Sequence, residues 1–451
     1  MHENTYGVSA RASTRGVGSK SRRSFLGAAA GLAVAAAAGA APAPKGGKTR
    51  YALVGTGIRG SSLWGKTLVE KYSDVLEFVG LCDINPKRVE FVKSYLGVTC
   101  PTFTDFDAMV AQTKPELVMV TTMDCFHAKY ICRALELGCR VMTEKPLAID
   151  EKQCQEIRDT ERRIGRNIRV TFNYRYSPDA ERIKTILASG EIGEITSADF
   201  HWYLDTSHGA SYFRRWHAFK QNSGSLLVHK ATHHFDILNW FLDADPIEIN
   251  AYGDLRYYGF NGPYRAKSCR ECTHKTECPY FWDITKDEFS MNLYVRAESE
   301  DGYIRDSCLW RENINIWDNM AVQMRYSNDA LVSYSLVAGM PYEGYAIGFN
   351  GTKGRLDARI YHAQPWQVDR LADIRLTRKF KGTLETTIEQ GGPDHWGADD
   401  KMQNMIFRGA PDPLGQTAGT RAGAMSILIG IGARHSIEQN RKITIDEMVK
   451  I

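Results

Sequence analysis

Apolar and polar positions along the chain fall into two textures. Between residues 50 and 175, short apolar runs alternate with amphipathic stretches. "YALV" (51–54), "LEFVGLCD" (76–83), "PELVMVTT" (115–122), "CRVMTEKP" (139–146) and "NIRVTFNYRY" (167–176) read as strands. Between them, "FHAKYICRALELG" (126–138) and "IDEKQCQEIRDTERRIG" (149–165) carry apolar residues at helical spacing. Strand–helix alternation of this kind predicts a parallel, doubly wound sheet whose functional ends are the carboxyl ends of its strands. Beyond residue 195 the pattern changes. "EITSADFHWYL", "IEINAYGDLRYYG", "NMAVQMRYSNDALVSYSLVAG" and "YAIGFNGTKGRLDAR" are strand-like and bounded by Gly, Asn and Asp turns, which predicts a mostly antiparallel second sheet. An apolar helix is predicted over 417–440. The fold class is therefore α/β, with a Rossmann-like first domain and an α+β second domain carrying a mostly antiparallel sheet.

The first strand runs into Gly55, Gly57 and Gly60, a G-x-G-x-x-G turn placed between strand and helix. Gly55 permits the tight turn, Gly57 lets backbone approach a pyrophosphate, and Gly60 allows close helix–strand contact. Asp83 ends the second strand, where a carboxylate accepts from adenosine ribose hydroxyls and repels a 2′-phosphate. NAD is thus expected, with Lys87 and Arg88 leaving room for NADP. Ile58 and Arg59 within the turn, Thr122 and His127 after the third strand, and Glu144 and Lys145 after the fourth complete the candidate cofactor contacts.

The nine residues "VHKATHHFD" (228–236) hold three histidines, a lysine and an aspartate. His229 and His233 are four apart, as are Thr232 and Asp236, so a helix beginning here brings each pair onto neighbouring faces. An alcohol carbon gives up hydride only as its hydroxyl proton leaves. A histidine titrating near neutrality takes that proton, and a lysine ammonium favours the developing alkoxide. His234 points one position off and reads as structural. Zinc at these histidines is disfavoured by Lys230.

Together "VGTGIRG", "EKPLAI", "FNYRYSP" and the H-K-x-x-H-x-x-D segment resemble the glucose–fructose oxidoreductase / inositol dehydrogenase / rhizopine-catabolism (Gfo/Idh/MocA) family over residues 50–451. The resemblance implies a nucleotide-binding domain, an open sheet that assembles homodimers or homotetramers, NAD or NADP, and sugar or polyol substrates. It also implies that Lys145 points to the reacting carbon and that His233 is the general acid/base. Many members read D-x-G-x-H-x-x-D; here His229 stands at the first aspartate and Ala231 at the glycine. An imidazole there suits an NAD-dependent glycoside hydrolase, which oxidises, eliminates, hydrates and reduces in turn; an oxidoreductase remains the first expectation. Candidate substrate contacts are Arg175 and Tyr176 at the domain boundary, Lys230 and Asp236, His201 and Tyr203 on one strand face, and His395.

Ten cysteines are unevenly placed. Cys269, Cys272, Cys278 and Cys308 form C-x2-C with two further thiols, a pattern that fits one tetrahedral structural zinc, with two disulfides as the alternative. The other six read as buried small hydrophobes.

The formal charge of +4 comes from the N-terminus. Residues 1–40 hold Arg11, Arg15, Lys20, Arg22 and Arg23 against Glu3, leaving 52 basic and 52 acidic residues elsewhere, which argues against nucleic acid as a partner. "SRRSFLGAAAGLAVAAAAGAAPAP" has the layout of a twin-arginine export leader, implying the twin-arginine translocase as a partner and an extracytoplasmic or periplasmic destination. Its apolar run, Phe25 to Ala40, is 16 residues, short of the ~20 that cross a bilayer. The expected organisation is a leader (1–40), a linker (41–49), a dinucleotide domain (50–172) and a substrate and oligomerisation domain (173–451) with a Cys-rich insertion (260–310).

Overall fold

The computed structural model describes residues 47–367, 371–388 and 395–450. The leader and most of the linker lie outside the described residues. Six strands form the first sheet: β1 (Thr49–Val54), β2 (Leu76–Cys82), β3 (Thr102–Phe103), β4 (Leu117–Val120), β5 (Arg140–Thr143) and β6 (Ile168–Val170). They are ordered β3-β2-β1-β4-β5-β6 and all pair in parallel. β4 reads Leu-Val-Met-Val and is buried throughout, as a central strand covered on both faces must be. The strand order reverses between β1 and β4, and a ligand crevice is expected at the carboxyl ends there.

β6 is shorter than the apolar run that announces it. The Phe172 amide turns back onto the Val170 carbonyl (3.1 Å), and Asn173–Tyr176 then forms a 3-10 turn. The turn frees Asn173 and Tyr174 for the cleft described below.

The second sheet has nine strands: β7 (Ile195–Asp205), β8 (Pro246–Asp254), β9 (Asn319–Tyr326), β10 (Leu331–Met340), β11 (Glu343–Gly351), β12 (Gly354–Ala363), β13 (Ala372–Arg378), β14 (Gly382–Ile388) and β15 (Ile443–Thr444). Their order is β14-β13-β12-β11-β7-β10-β9-β8-β15, antiparallel except where β7 meets β10. Alternation is strict in β9, where every second residue is buried. The inner face carries Phe200, Trp202, Tyr334, Tyr345 and Phe349. Phe349 meets Phe241, and Trp202 stacks on His234, both from the helix Ala231–Leu242 that lies beneath the sheet.

That helix follows a short helical turn, Leu226–His229, and the chain enters the turn through Gly224 and Ser225, both at positive φ. The long C-terminal helix Thr420–Gln439 fixes the position of this turn. A Cβ built on Gly430 would sit 2.1 Å from the Leu227 carbonyl oxygen and 3.0 Å from the Val228 Cα, so only glycine permits this backbone-to-backbone approach. Replacing Gly430 with Ala must push the histidine segment away. The substitution is expected to destabilise the protein by about 1–3 kcal/mol, measured as a lowered urea midpoint; an unchanged midpoint would refute this packing.

Candidate active site

The carboxyl ends of β1, β2, β4 and β5 converge with the histidine helix on one cleft of about 750 Å³. Its dinucleotide half is built as the glycine pattern requires. Gly55 has φ +90°, and a Cβ there would lie 2.6 Å from the backbone of Thr121 and Thr122. A Cβ on Gly60 would lie 2.2 Å from the Gly55 oxygen, whereas at Gly57 the nearest atom is the Tyr294 hydroxyl at 3.9 Å. Gly55 and Gly60 close the turn; Gly57 leaves its backbone open to the cleft. Asp83 Oδ2 accepts from the Thr56 amide (2.7 Å) and hydroxyl (3.0 Å), and Oδ1 accepts from Asn85 N (3.0 Å) and Arg88 Nη1 (3.1 Å). This set of residues fits a dinucleotide: an open glycine backbone at a helix start, with a carboxylate at the next strand end.

A segment of the Cys-rich insertion reaches across this half of the cleft. Asn85 Nδ2 donates to the Ala297 carbonyl (2.9 Å), Lys87 to Ser299 Oγ (2.7 Å), and Arg88 Nη2 to Asp301 (2.7 Å). The Tyr294 hydroxyl accepts from the Ile58 amide at 3.0 Å. Phe289 packs edge-on against Phe91 and Tyr95. The insertion thus engages the first domain as well as the second. Nothing in the spacing of its residues announces these partners.

At the end of β5, Glu144 Oε1 accepts from Arg59 Nε and Trp64 Nε1, both at 2.7 Å, which fixes the backbone that presents Lys145. His127 braces the same turn, with Nδ1 2.7 Å from the Pro146 carbonyl and Nε2 3.1 Å from the Thr122 carbonyl. Lys145 Nζ donates to the His229 carbonyl (3.1 Å) and lies 3.4 Å from His229 Nε2. His229 Nδ1 lies 2.6 Å from Asp124 Oδ2. Burial pulls the Lys145 ammonium down to about 8, although the Asp124 and Glu144 carboxylates hold it up. Burial, helped by Lys145, also keeps His229 well below its ordinary value, and burial raises Asp124. The Lys145 charge opposes that rise at Asp124, just as the Asp124 carboxylate opposes the fall at Lys145, so each favours the ionised form of the other. Asp124 lies two residues past the "VTT" strand end and carries no spacing signal in the sequence.

His233 borders the same cleft, its ring stacked on Tyr174 (4.4 Å between centroids, 16° between planes). Lys230 Nζ donates to the Tyr174 hydroxyl (3.0 Å) and sits above the rings of Tyr174 and Trp202. His208 Nδ1 contacts Glu343 at 2.8 Å, and its Nε2 contacts the Tyr212 hydroxyl at 2.8 Å. Burial alone would raise the Glu343 carboxyl, but His208 and the charge of Lys230 bring it to about 2. His234, by contrast, is buried against Trp202 with Nδ1 2.7 Å from the Tyr334 hydroxyl.

The remaining candidates fall elsewhere. Arg175 grips Asp236 through two 2.7 Å hydrogen bonds in the interior, a pair closed on itself. Tyr176 packs in the first domain's core with its hydroxyl on Met405 Sδ. His201 and Tyr203 lie on the outer face of β7, against Ser335 and Tyr342. The side chain of His395 lies outside the described residues.

The zinc expectation is corrected. Cys269, Cys272, Cys278 and Cys308 line one small hollow, yet among the described residues no group of three or more His, Cys, Asp or Glu side chains is arranged to hold a metal ion. All four are free thiols. Arg214 Nη1 donates to Cys269 Sγ at 2.9 Å, placing a guanidinium where a divalent cation would be repelled. Packing of Tyr257, Tyr258, Tyr280 and Trp310 around this hollow holds the insertion instead.

Fold and cleft define a nicotinamide-nucleotide oxidoreductase. Two family models match: "Oxidoreductase family, NAD-binding Rossmann fold" over residues 49–172, and "Oxidoreductase family, C-terminal alpha/beta domain" over 184–445. The chain belongs to the Gfo/Idh/MocA oxidoreductase family. It is 34% identical over 422 residues to the oxidoreductase YteT of Bacillus subtilis, covering 88% of this chain and 98% of that one. It is 28% identical over 205 residues to an inositol 2-dehydrogenase/D-chiro-inositol 3-dehydrogenase of Lactiplantibacillus plantarum, covering 45% of this chain and 55% of the relative. Among solved structures, an oxidoreductase domain protein from Kribbella flavida shares the fold with a TM-score of 0.64 at 16% identity, over 88% of this chain and 99% of that one.

Two substitutions separate the cleft from the interior pair. Lys145→Ala is expected to lower turnover roughly 100-fold or more in protein that remains folded and nucleotide-bound. Arg175→Met, which strands the buried Asp236, is expected to cost about 3–5 kcal/mol of stability while turnover per folded molecule persists. Near-normal turnover of Lys145→Ala, or a stable but inactive Arg175→Met, would reverse these assignments.

Proposed function

We propose that this NAD(P)-dependent oxidoreductase oxidises a secondary hydroxyl of a sugar or polyol at the junction of Lys145, His229 and His233. The convergence of Lys145 on His229 and Asp124, beside the open glycine turn, carries this reading. Gly55, Gly57 and Asp83 would hold the dinucleotide, which when bound would supply hydride-accepting chemistry beside Lys145. The ammonium of Lys145 favours the alkoxide that develops on the substrate oxygen, and His233 takes the hydroxyl proton. Asp124 orients His229, whose carbonyl and ring hold Lys145 toward the cleft. Lys230, fixed by Tyr174, hydrogen-bonds a neighbouring hydroxyl. Inositol dehydrogenases among the relatives support a polyol or sugar as substrate.

The cofactor is NAD in preference to NADP. Arg88 is engaged by Asp83 and Asp301, and Lys87 by Glu300 at 2.8 Å, so both cations that could read a 2′-phosphate already face carboxylates. The hydrogen bonds from residues 294–301 across the cleft favour a dinucleotide that exchanges slowly. Export through the twin-arginine route, with an extracytoplasmic destination, rests on the Arg22-Arg23 leader. Assembly into homodimers or homotetramers would use the open sheet, where Tyr252, Leu331 and Leu384 are exposed. No helix among the described residues is long and apolar enough to cross a membrane.

The test supplies NAD and a panel of sugars and polyols and follows reduced nicotinamide by absorbance. Reduced cofactor should accumulate in step with oxidised product. Aryl alcohol release from aryl glycosides, with hydrogen exchange at the sugar and no net reduction of NAD, would assign glycoside cleavage instead.

A further inference from the structure

The cleft contains a cation that its catalytic arrangement does not use. Arg215 follows the helix Thr206–Arg214 and lines the cleft beside Tyr212, His217 and His229. Its Nε donates to the Ser211 carbonyl (3.0 Å) and its guanidinium lies over the Tyr212 ring (5.3 Å). Among the described residues, no carboxylate lies within ion-pair distance of it. A second arginine, Arg305, is held between Trp282 and Tyr294 (5.3 and 5.4 Å to the ring centroids), and its buried Nε has no hydrogen-bond partner. Burial, and after it the charge of Arg305, lowers the pKa of the Arg215 guanidinium.

The other charged groups nearby are largely committed. Arg59 faces Glu144 and Asp399, Arg88 faces Asp83 and Asp301, and Lys145 faces Asp124 and His229. Arg305 acts on Asp287, whose carboxylate caps Ser290. Asp124 feels the Arg215 charge and Asp287 that of Arg305, but neither arginine has a carboxylate in ion-pair contact among the described residues, so an anionic ligand would relieve their repulsion. A planar guanidinium offers paired donors that match an oxyanion, and the rings beneath Arg215 and Arg305 restrict their motion.

We propose that Arg215 binds an oxyanion on the substrate, either the carboxylate of a sugar acid or the phosphate of a sugar ester. This deepens the sugar–polyol reading and rests on it. The reacting carbon lies at Lys145 and His233, and the anionic group lies toward the His217–Arg215 wall. Arg215 thus selects among substrates that the shared fold would otherwise accept equally.

The test compares equilibrium binding, by titration calorimetry on NAD-loaded protein, of a neutral aldose, the corresponding uronic acid and the corresponding sugar phosphate. Wild-type protein should bind one of the two anions at least tenfold more tightly than the neutral sugar, and the favoured arm identifies the group. Arg215→Gln should erase that preference, a loss of roughly 10- to 100-fold for a charge-assisted contact, and leave neutral-sugar binding unchanged. Arg215→Lys should restore part of it. Equal weakening of neutral and anionic sugars, weakened NAD binding in place of sugar binding, or no anion preference in the wild type would each overturn the proposal. Binding is read without turnover. A protein that shows the preference but never reduces NAD would refute the dehydrogenase reading and leave the oxyanion site standing.

Discussion

A lysine ammonium held inside the protein sets the terms for the rest of the cleft. Lys145 projects from the end of β5 into a space where water cannot solvate it fully, so its charge must be met by fixed dipoles and counter-charges. Three separate parts of the chain supply them. Asp124 comes from the turn after β4, Glu144 from the residue before Lys145, and the His229 carbonyl from the helical turn of the second domain. The lysine is therefore also a clamp between domains. The Gly430 approach to Leu227 sets the depth of that turn, and the Arg59–Glu144–Trp64 hydrogen bonds set the angle of β5. A packing contact in the C-terminal helix thereby bears on an electrostatic site well away from it in sequence.

This arrangement modifies the usual family pattern without abandoning its logic. An aspartate at position 229 would place a carboxylate directly beside the lysine. Here an imidazole stands there, and the carboxylate lies one hydrogen bond further out, on Asp124. A carboxylate that favours the Lys145 ammonium is retained, while the side chain beside the lysine is an imidazole that burial keeps neutral. The Cys-rich insertion adds a second modification. By engaging Asn85, Lys87, Arg88 and Ile58 it encloses the dinucleotide half of the cleft with contacts from residues 294–301 of the second domain.

Much of this was legible in the sequence because backbone demands leave marks there. The glycine turn, Asp83 at a strand end, alternation in the open sheet and the helix starting near the histidines follow from local geometry. Lys145, His229 and His233 could be picked out by type and spacing, and they do border one cleft. Asp124, Tyr174, His208, Glu343 and Arg215 could not, because their meeting depends on how two sheets are docked. Arg175 and Asp236 illustrate the opposite failure: a charged pair near motifs reads as a substrate contact, yet the fold closes it on itself. The four cysteines fail for a related reason. Their spacing suits a metal, but spacing does not show that a guanidinium will approach Cys269.

The central claim is that Lys145 acts as a charged group whose proton is retained by Asp124. Its most direct test is the pH dependence of hydride transfer in a single turnover, compared between the wild type and Asp124→Asn. In the wild type the rate should fall as pH rises through about 8, where Lys145 loses its proton. Removing the carboxylate removes a charge that favours the ammonium, so in Asp124→Asn the same fall should move to lower pH. A rate that rises through this range, or a limb at the same pH in both proteins, would contradict the account.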